Sequence, residues 1–222
     1  MLENNYHDNR MMSVNHQPNI RHPENLEGYF RNFGLHSNYI AGSLSSKRLK
    51  TFLNLELLPL FIETGTNYGN GLKWAAQQNH FSKIFSVELD ASRADYCKNL
   101  FANNSKVEIE QGDSVDYLAK IIPAVDCPCL IYLDAHYSGG ISPHNPNHPV
   151  PLVEESNIIL KSFYDLSQAV IIVDDVDCWD RSMIDALIKM YKEKSITSNY
   201  LDDSIIFCHD SWIKDQWKVL RQ

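Results

Sequence analysis

The run Glu63-Thr64-Gly65-Thr66-Asn67-Tyr68-Gly69-Asn70-Gly71 constrains the fold more than any other part of the chain. An apolar stretch, Leu57-Leu58-Pro59-Leu60-Phe61, precedes it, and a helix-like stretch, Leu72-Lys73-Trp74-Ala75-Ala76-Gln77, follows. A strand that ends in a glycine loop and opens into a helix brings backbone close to a ligand. The glycines have no Cβ, and the helix start offers free N–H groups. The spacing acid-x-Gly-x-x-x-Gly-x-Gly departs from the G-x-G-x-x-G pattern of dinucleotide sites. It also lacks the Lys-Ser/Thr ending of a phosphate-binding loop.

Downstream, strand and helix patterns alternate, which predicts a mostly parallel sheet covered on both faces. The apolar strand candidates are residues 60–63, 84–89, 107–111, 130–133 and 170–173. Helical stretches fall at 71–79, 91–102, 114–121 and 153–163, then at 181–194 with Asp180 as N-cap. Two final strand-like runs, 195–201 and 204–209, flank the turn signal Asp202-Asp203. Residues 1–36 are rich in Asn and His and lack apolar periodicity, so they read as a polar N-terminal arm, partly flexible. Its scattered His7, His16, His22 and His36 do not suggest a metal site. Residues 37–222 read as the folded domain. It opens on a helical pattern over 37–54 that carries Tyr39, Ile40, Leu44, Leu49, Phe52 and Leu53.

The whole chain has 222 residues and a formal net charge of −8. That balance argues against a broad nucleic-acid footprint, which needs a basic face. No apolar run approaches the ~20 residues of a membrane span, and the first residues lack the features of a secretion signal. Five cysteines form no disulfide framework, and Cys127-Pro128-Cys129 reads as packing at a strand entry. A reduced, cytoplasmic setting is the expectation.

Polar residues recur where successive strands end, the edge at which open α/β sheets bind ligands. Glu88, followed by Leu89, ends the second strand about 25 residues after Glu63, where a carboxylate can accept from both hydroxyls of a ribose. Gln111-Gly112-Asp113-Ser114 ends the third, and either Asp113 or Ser114 also serves as a helix N-cap. The fourth strand runs Leu130-Ile131-Tyr132-Leu133 straight into Asp134-Ala135-His136, and the fifth runs into Asp174-Asp175. Three carboxylates gathered at one sheet end repel unless a proton or cation intervenes. Hard oxygen donors suit magnesium or manganese. Against this, adjacent Asp174 and Asp175 point to opposite faces of a regular strand. His136 reads as a general base, or as a residue that orients substrate. His144 and His148 lie in a proline-punctuated loop, as exposed residues or substrate contacts.

Together these motifs resemble the class I S-adenosylmethionine (SAM) dependent methyltransferases, and in particular the metal-dependent O-methyltransferases that act on small molecules and sugars. The resemblance covers residues 57–210. It implies a Rossmann-like α/β fold: a mostly parallel seven-stranded sheet, helices on both faces, and an antiparallel C-terminal edge hairpin. An acid at the first strand end suits a cationic cofactor that carries no phosphate. The resemblance places Glu63, Gly65, Thr66, Asn67, Gly69 and Gly71 beneath the methionine part of SAM. Glu88 and Leu89 fall at the ribose, and Asp113 and Ser114 at the adenine. It makes Asp134 and His136 catalytic and assigns Asp134, Asp174 and Asp175 to a divalent ion, magnesium or manganese. Tyr137 stands where catechol-type enzymes often carry a lysine, which argues against a catechol acceptor.

The expected activity is therefore methyl transfer to a hydroxyl of a small polar acceptor, such as a sugar or glycan precursor, with the N-terminal segment available for self-association. Two other readings keep the same residues: a metal-dependent hydrolase on this fold, and a non-catalytic SAM-binding partner subunit.

Overall fold

The computed structural model describes Leu44, residues 47–136 and residues 145–218, leaving aside the side chains of Lys47, Arg48 and Cys178. The chain divides into two units, Met1–Asn38 and Tyr39–Gln222, and every described residue belongs to the second. The polar arm, and the self-association assigned to it, fall outside the described residues.

A short helix α1 (Lys47–Phe52) leads in, and the alternation begins with strand β1 (Leu60–Thr64) and helix α2 (Asn70–Ala76). Next come β2 (Lys83–Glu88), α3 (Ala91–Leu100), β3 (Val107–Gln111), α4 (Ser114–Ile121) and β4 (Cys129–Leu133). The second half holds α5 (Pro151–Ser162), β5 (Ala169–Val173), α6 (Arg181–Lys192), β6 (Thr197–Leu201), β7 (Ser204–Cys208) and α7 (Asp215–Lys218). Of the helix expected over 37–54, α1 is the described part. It stops after Phe52 because Leu53 leaves the helix to pair with Ile213.

The seven strands form one sheet in the order β3-β2-β1-β4-β5-β7-β6. Pairings from β3 across to β5 are parallel, and β7 is antiparallel to both β5 and β6. This is the predicted seven-stranded sheet with its edge hairpin. Asp202, at φ +53, makes the predicted turn between β6 and β7. Asp180 caps α6 as its sequence position suggests, accepting the Ser182 N–H.

Four strands, β1, β4, β5 and β7, are buried at every position. Such continuous apolar runs are what a sheet with both faces covered requires. Alternate residues feed two cores. Ile62, Ile131, Leu133, Ile171 and Val173 pack with α4, α5 and α6. Phe61, Leu130, Tyr132, Val170 and Ile172 pack with α1 and α2 on the other face.

After β1 the chain builds outward through β2 and β3, then crosses back to lay β4 on the other side of β1. Strand order reverses there, so the helices leaving β1 and β4 diverge and a crevice opens at the carboxyl ends of these strands. Among the described residues, no helix is long and apolar enough to cross a membrane.

Candidate cofactor crevice and active site

The glycine loop between β1 and α2 turns through three left-handed residues, Gly65 (φ +82), Asn67 (φ +48) and Gly69 (φ +75). The N–H groups of Gly65 and Thr66 both donate to the Val87 carbonyl, at 3.0 and 3.1 Å, which ties the loop to the end of β2. Glycine is required twice by contact. A Cβ on Gly65 would run into the carbonyl of Asp134, and one on Gly71 into the carboxyl of Glu63.

Glu63 and Thr66 work behind this loop. The Ser86 hydroxyl donates to Glu63 Oε2 at 2.7 Å. Its own oxygen lies 2.6 Å from Thr66 Oγ1, so Thr66 must be the donor of that second bond. All three residues are buried, and burial pushes the Glu63 carboxyl well above the usual carboxylate range. Glu63, Thr66, Gly69 and Gly71 therefore shape the loop and do not line the crevice, whereas Gly65 and Asn67 do.

The crevice holds about 710 Å³, its open mouth included, a size suited to a small organic cofactor. Glu88, Leu89, Asp113 and Ser114 line it as expected, and Asp134 and His136 form part of the same wall. Gly112 also lines it, and a Cβ there would meet no protein atom within 4 Å. A side chain at Gly112 would thus occupy ligand space rather than protein space. These features fit SAM: an open cradle for a nucleoside, with acids around a ligand that carries positive charge.

Glu88 is buried at the end of β2, only 3 % exposed. Its Oε2 accepts the Asn67 N–H at 2.7 Å and its Oε1 the Asp90 N–H at 2.9 Å. Burial still raises its pKa despite these two bonds. Each oxygen keeps a second lone pair for a ligand hydroxyl.

Asp113 caps α4, with Oδ1 accepting from Val115 and Asp116 N–H at 2.9 and 3.3 Å. Its Oδ2 accepts from Asn145 Nδ2 at 2.6 Å. That bond pins the stretch that leads into α5, whose Asn145 and His148 reach the crevice wall.

At the other end, Asp134, His136 and Asp175 form a chain. His136 Nδ1 lies 3.3 Å from Asp134 Oδ1, and Nε2 lies 3.2 Å from Asp175 Oδ2. The Trp179 ring meets the imidazole edge-on, 5.7 Å between centroids. Asp175 reaches this place because its backbone is left-handed, φ +50. Asp174, one residue earlier, follows the strand pleat to the other face, where its carboxyl accepts the hydroxyl of buried Tyr132. The structure thus links Asp134 and Asp175 through His136, while Asp174 bonds Tyr132 and acts on Asp134 through its charge. Among the described residues two sets have ligand atoms that all lie within 4.8 Å of one another: Asp134, His136 and Asp175 here, and Asp113, Asp116 and His148 at the other end.

Burial drives the Asp134 carboxyl up to about 6, against the lowering effect of His136. Burial alone would depress His136, but its bonds to Asp134 and Asp175 prevail and raise it to about 10. Asp175 is held low by the same imidazole. At neutral pH this is an imidazolium between two carboxylates. A general base needs an unprotonated nitrogen, so the basic atoms of this chain are carboxylate oxygens rather than the His136 ring. The donor set itself, two carboxylates and an imidazole, fits a divalent ion once the imidazole has lost its proton.

One buried acid beside the crevice went unread in the sequence. Glu155, in α5, is 1 % exposed. Burial moves its carboxyl up to about 7, against the hydrogen-bonding effect of the Ser114 and Thr64 hydroxyls.

No family model matches the chain, and no curated protein matches its sequence. Solved structures do resemble it. A methyltransferase from Geobacter sulfurreducens superposes with a TM-score of 0.52 at 9% identity, over 84% of this chain and 87% of its own. Human methyltransferase-like protein 13, solved with SAH, gives 0.51 at 18% identity, over 80% and 83%. A Klebsiella pneumoniae protein assigned as an O-methyltransferase gives 0.50 at 16% identity, over 84% and 89%. With the strand order and the crevice already described, these likenesses identify the fold of this chain as that of the class I SAM-dependent methyltransferases.

Proposed function

We propose that this chain is a SAM-dependent O-methyltransferase acting on a hydroxyl of a small polar acceptor, with sugars and glycan precursors as the first class to try. The observation that carries this reading is the meeting of the Gly65–Asn67 backbone with Glu88, Asp113 and Asp134 around one crevice at the strand reversal. In this reading Gly65 and Asn67 underlie the methionine part of SAM, Glu88 takes the ribose hydroxyls, and Asp113 and Ser114 meet the base. Asp134 and His136 face the methyl group.

The chemistry asks little of the protein beyond alignment. The acceptor oxygen attacks the methyl carbon as the carbon–sulfur bond breaks, and the acceptor proton passes to a carboxylate oxygen of Asp134. His136, protonated and tied to Asp175, holds that carboxylate in place. Alignment of this kind contributes on the order of 7–11 kcal/mol. A bound magnesium or manganese ion, held by Asp134, Asp175 and a neutral His136, would lower the acceptor hydroxyl's pKa.

Calorimetry with SAH, and methyl-labelled SAM offered with a panel of sugar and glycan-precursor acceptors, test the reading. SAH should bind, label should move to one acceptor class, and Asp134→Asn should bind SAH near normally but lose at least ~100-fold in turnover. Absence of any heat with SAH would remove the cofactor, and with it the reading. Full activity in EDTA would remove the metal while leaving the methyl transfer.

A further inference from the structure

The chain holds four tryptophans, and three are spent on the fold. Trp74 and Trp212 are buried. Trp217 donates from Nε1 to the Thr51 carbonyl at 2.9 Å and meets Phe52 edge-on, 5.9 Å between centroids. Trp179 is the one at the ligand edge of the sheet, half-buried in the turn after β5. Part of its side chain packs against the core, and Nε1 donates to the Asp174 carbonyl at 3.3 Å. The one polar atom of the indole is thus used within the protein, and the surface it leaves outward is apolar.

This indole belongs to a lip beyond the crevice. The crevice wall ends on Asp134, Ala135 and His136. Past the imidazole stand Asp175, its Oδ2 3.2 Å from Nε2, and the Trp179 ring, 5.7 Å away between centroids. Neither residue lines the crevice itself. The Asp175 side chain is 42 % exposed, and with Oδ2 turned to His136 its carboxylate keeps lone pairs for a ligand. In-line transfer needs the acceptor oxygen opposite the sulfur. With SAM filling the crevice up to Asp134, the side left to the acceptor is this lip.

We infer that Trp179 is the floor of the acceptor subsite, and that the ring it takes is a pyranose. Such a ring carries C–H bonds on one face and hydroxyls around its rim. The indole suits the apolar face, and the acceptor-only carboxylates of Asp134 and Asp175 suit the rim donors. A simple phenol offers a single donor and leaves one of the two carboxylates unmatched. This rests on the SAM reading, and names the residue that selects the acceptor within it.

The test is fluorine NMR on the full chain, labelled with fluorotryptophan and loaded with SAH. The probes are the methyl glycosides of glucose, galactose, mannose, N-acetylglucosamine and rhamnose, with phenol as the planar rival. Trp179→Phe assigns the Trp179 resonance. At least one glycoside should shift that resonance and leave those of Trp74 and Trp212 in place. This readout is made on wild type, so it does not depend on how well a variant folds. Trp179→Ala should bind SAH near normally in calorimetry but bind the same glycoside on the order of tenfold more weakly, measured by saturation transfer to its C–H protons. Trp179→Phe should keep part of that affinity. A merely structural Trp179 would leave glycoside and SAH affinities in their wild-type ratio. A Trp179 resonance that no glycoside moves, or that phenol alone moves, overturns the proposal, as does equal glycoside affinity in wild type and Trp179→Ala. A wild type that binds no SAH refutes the SAM reading itself, and the acceptor subsite with it.

Discussion

Gly65 shows how far one residue can fix a site. Its φ of +82 and the nearness of the Asp134 carbonyl both exclude a side chain. Gly65→Ala should cost about 1–2 kcal/mol for the left-handed backbone alone, with the clash added to that. For a chain of this size a melting temperature at least ~4 °C lower is expected, together with loss of SAH binding as the ends of β1 and β4 separate. A melt unchanged from wild type would contradict this account. The glycine spacing made the loop legible in the sequence, because a turn this tight leaves few alternatives. Which side of the loop each residue faces was not legible. Glu63 and Thr66 belong to a buried hydrogen-bond chain through Ser86, and nothing in a linear pattern distinguishes that from a ligand contact. Glu155 did leave a trace. Positions 152, 155, 156 and 159 make one helical stripe, and an acid among its apolar members is a buried charge in need of an explanation.

At the scale of elements, the strands and helices downstream of the loop were readable because continuous apolar runs and capping residues agree with the tertiary packing. The placement of Asp174 and Asp175 was not. The pleat alone sends them to opposite faces, and it takes the left-handed turn at Asp175 to carry its carboxyl to His136. Asp113 joins three elements, capping α4 and holding the segment that precedes α5 through Asn145. Asp113→Ala should therefore lose both roles, at about 1–2 kcal/mol for the cap with the Asn145 bond in addition. Asp113→Ser keeps the cap and drops the tether, and should recover most of the stability in a urea melt. SAH affinity separates the two roles from a third. If Asp113 itself meets the base, Ser will restore stability without restoring affinity. Recovery of both would show that the carboxylate serves the fold alone.

At the scale of the molecule, the ligand edge of the sheet gathers four acids whose pKa values move upward. Glu63, Glu88, Asp134 and Glu155 are each raised, burial being the first cause. Between its unfolded and folded pKa, each holds a proton in the native state that the unfolded chain has released. Stability therefore falls as pH rises across that window, from 3.8 to about 6 for Asp134 and from 4.5 to about 7 for Glu155. His136 acts in the same direction, its contribution being full below 6.5 and lost as pH rises through about 10. Asp175 alone opposes in this cluster, and its window lies below 3.8. The free protein should thus melt several degrees lower at pH 8 than at pH 5.5, since the part of the Glu155 window above pH 5.5 alone corresponds to about 2 kcal/mol. A cationic ligand reverses part of that loss by pairing with the newly ionised carboxylates. SAM carries a sulfonium that SAH lacks, so its stabilisation should exceed that of SAH at equal free concentration, and the excess should grow from pH 5.5 to pH 8. Calorimetric melts with each ligand at one common concentration well above both Kd values measure both quantities, because each stabilisation then follows the ratio of that concentration to the ligand's own Kd. A melting temperature that rises over this range, or a SAM excess that shrinks, would mean that the acids at this edge do not face the positive charge of the cofactor.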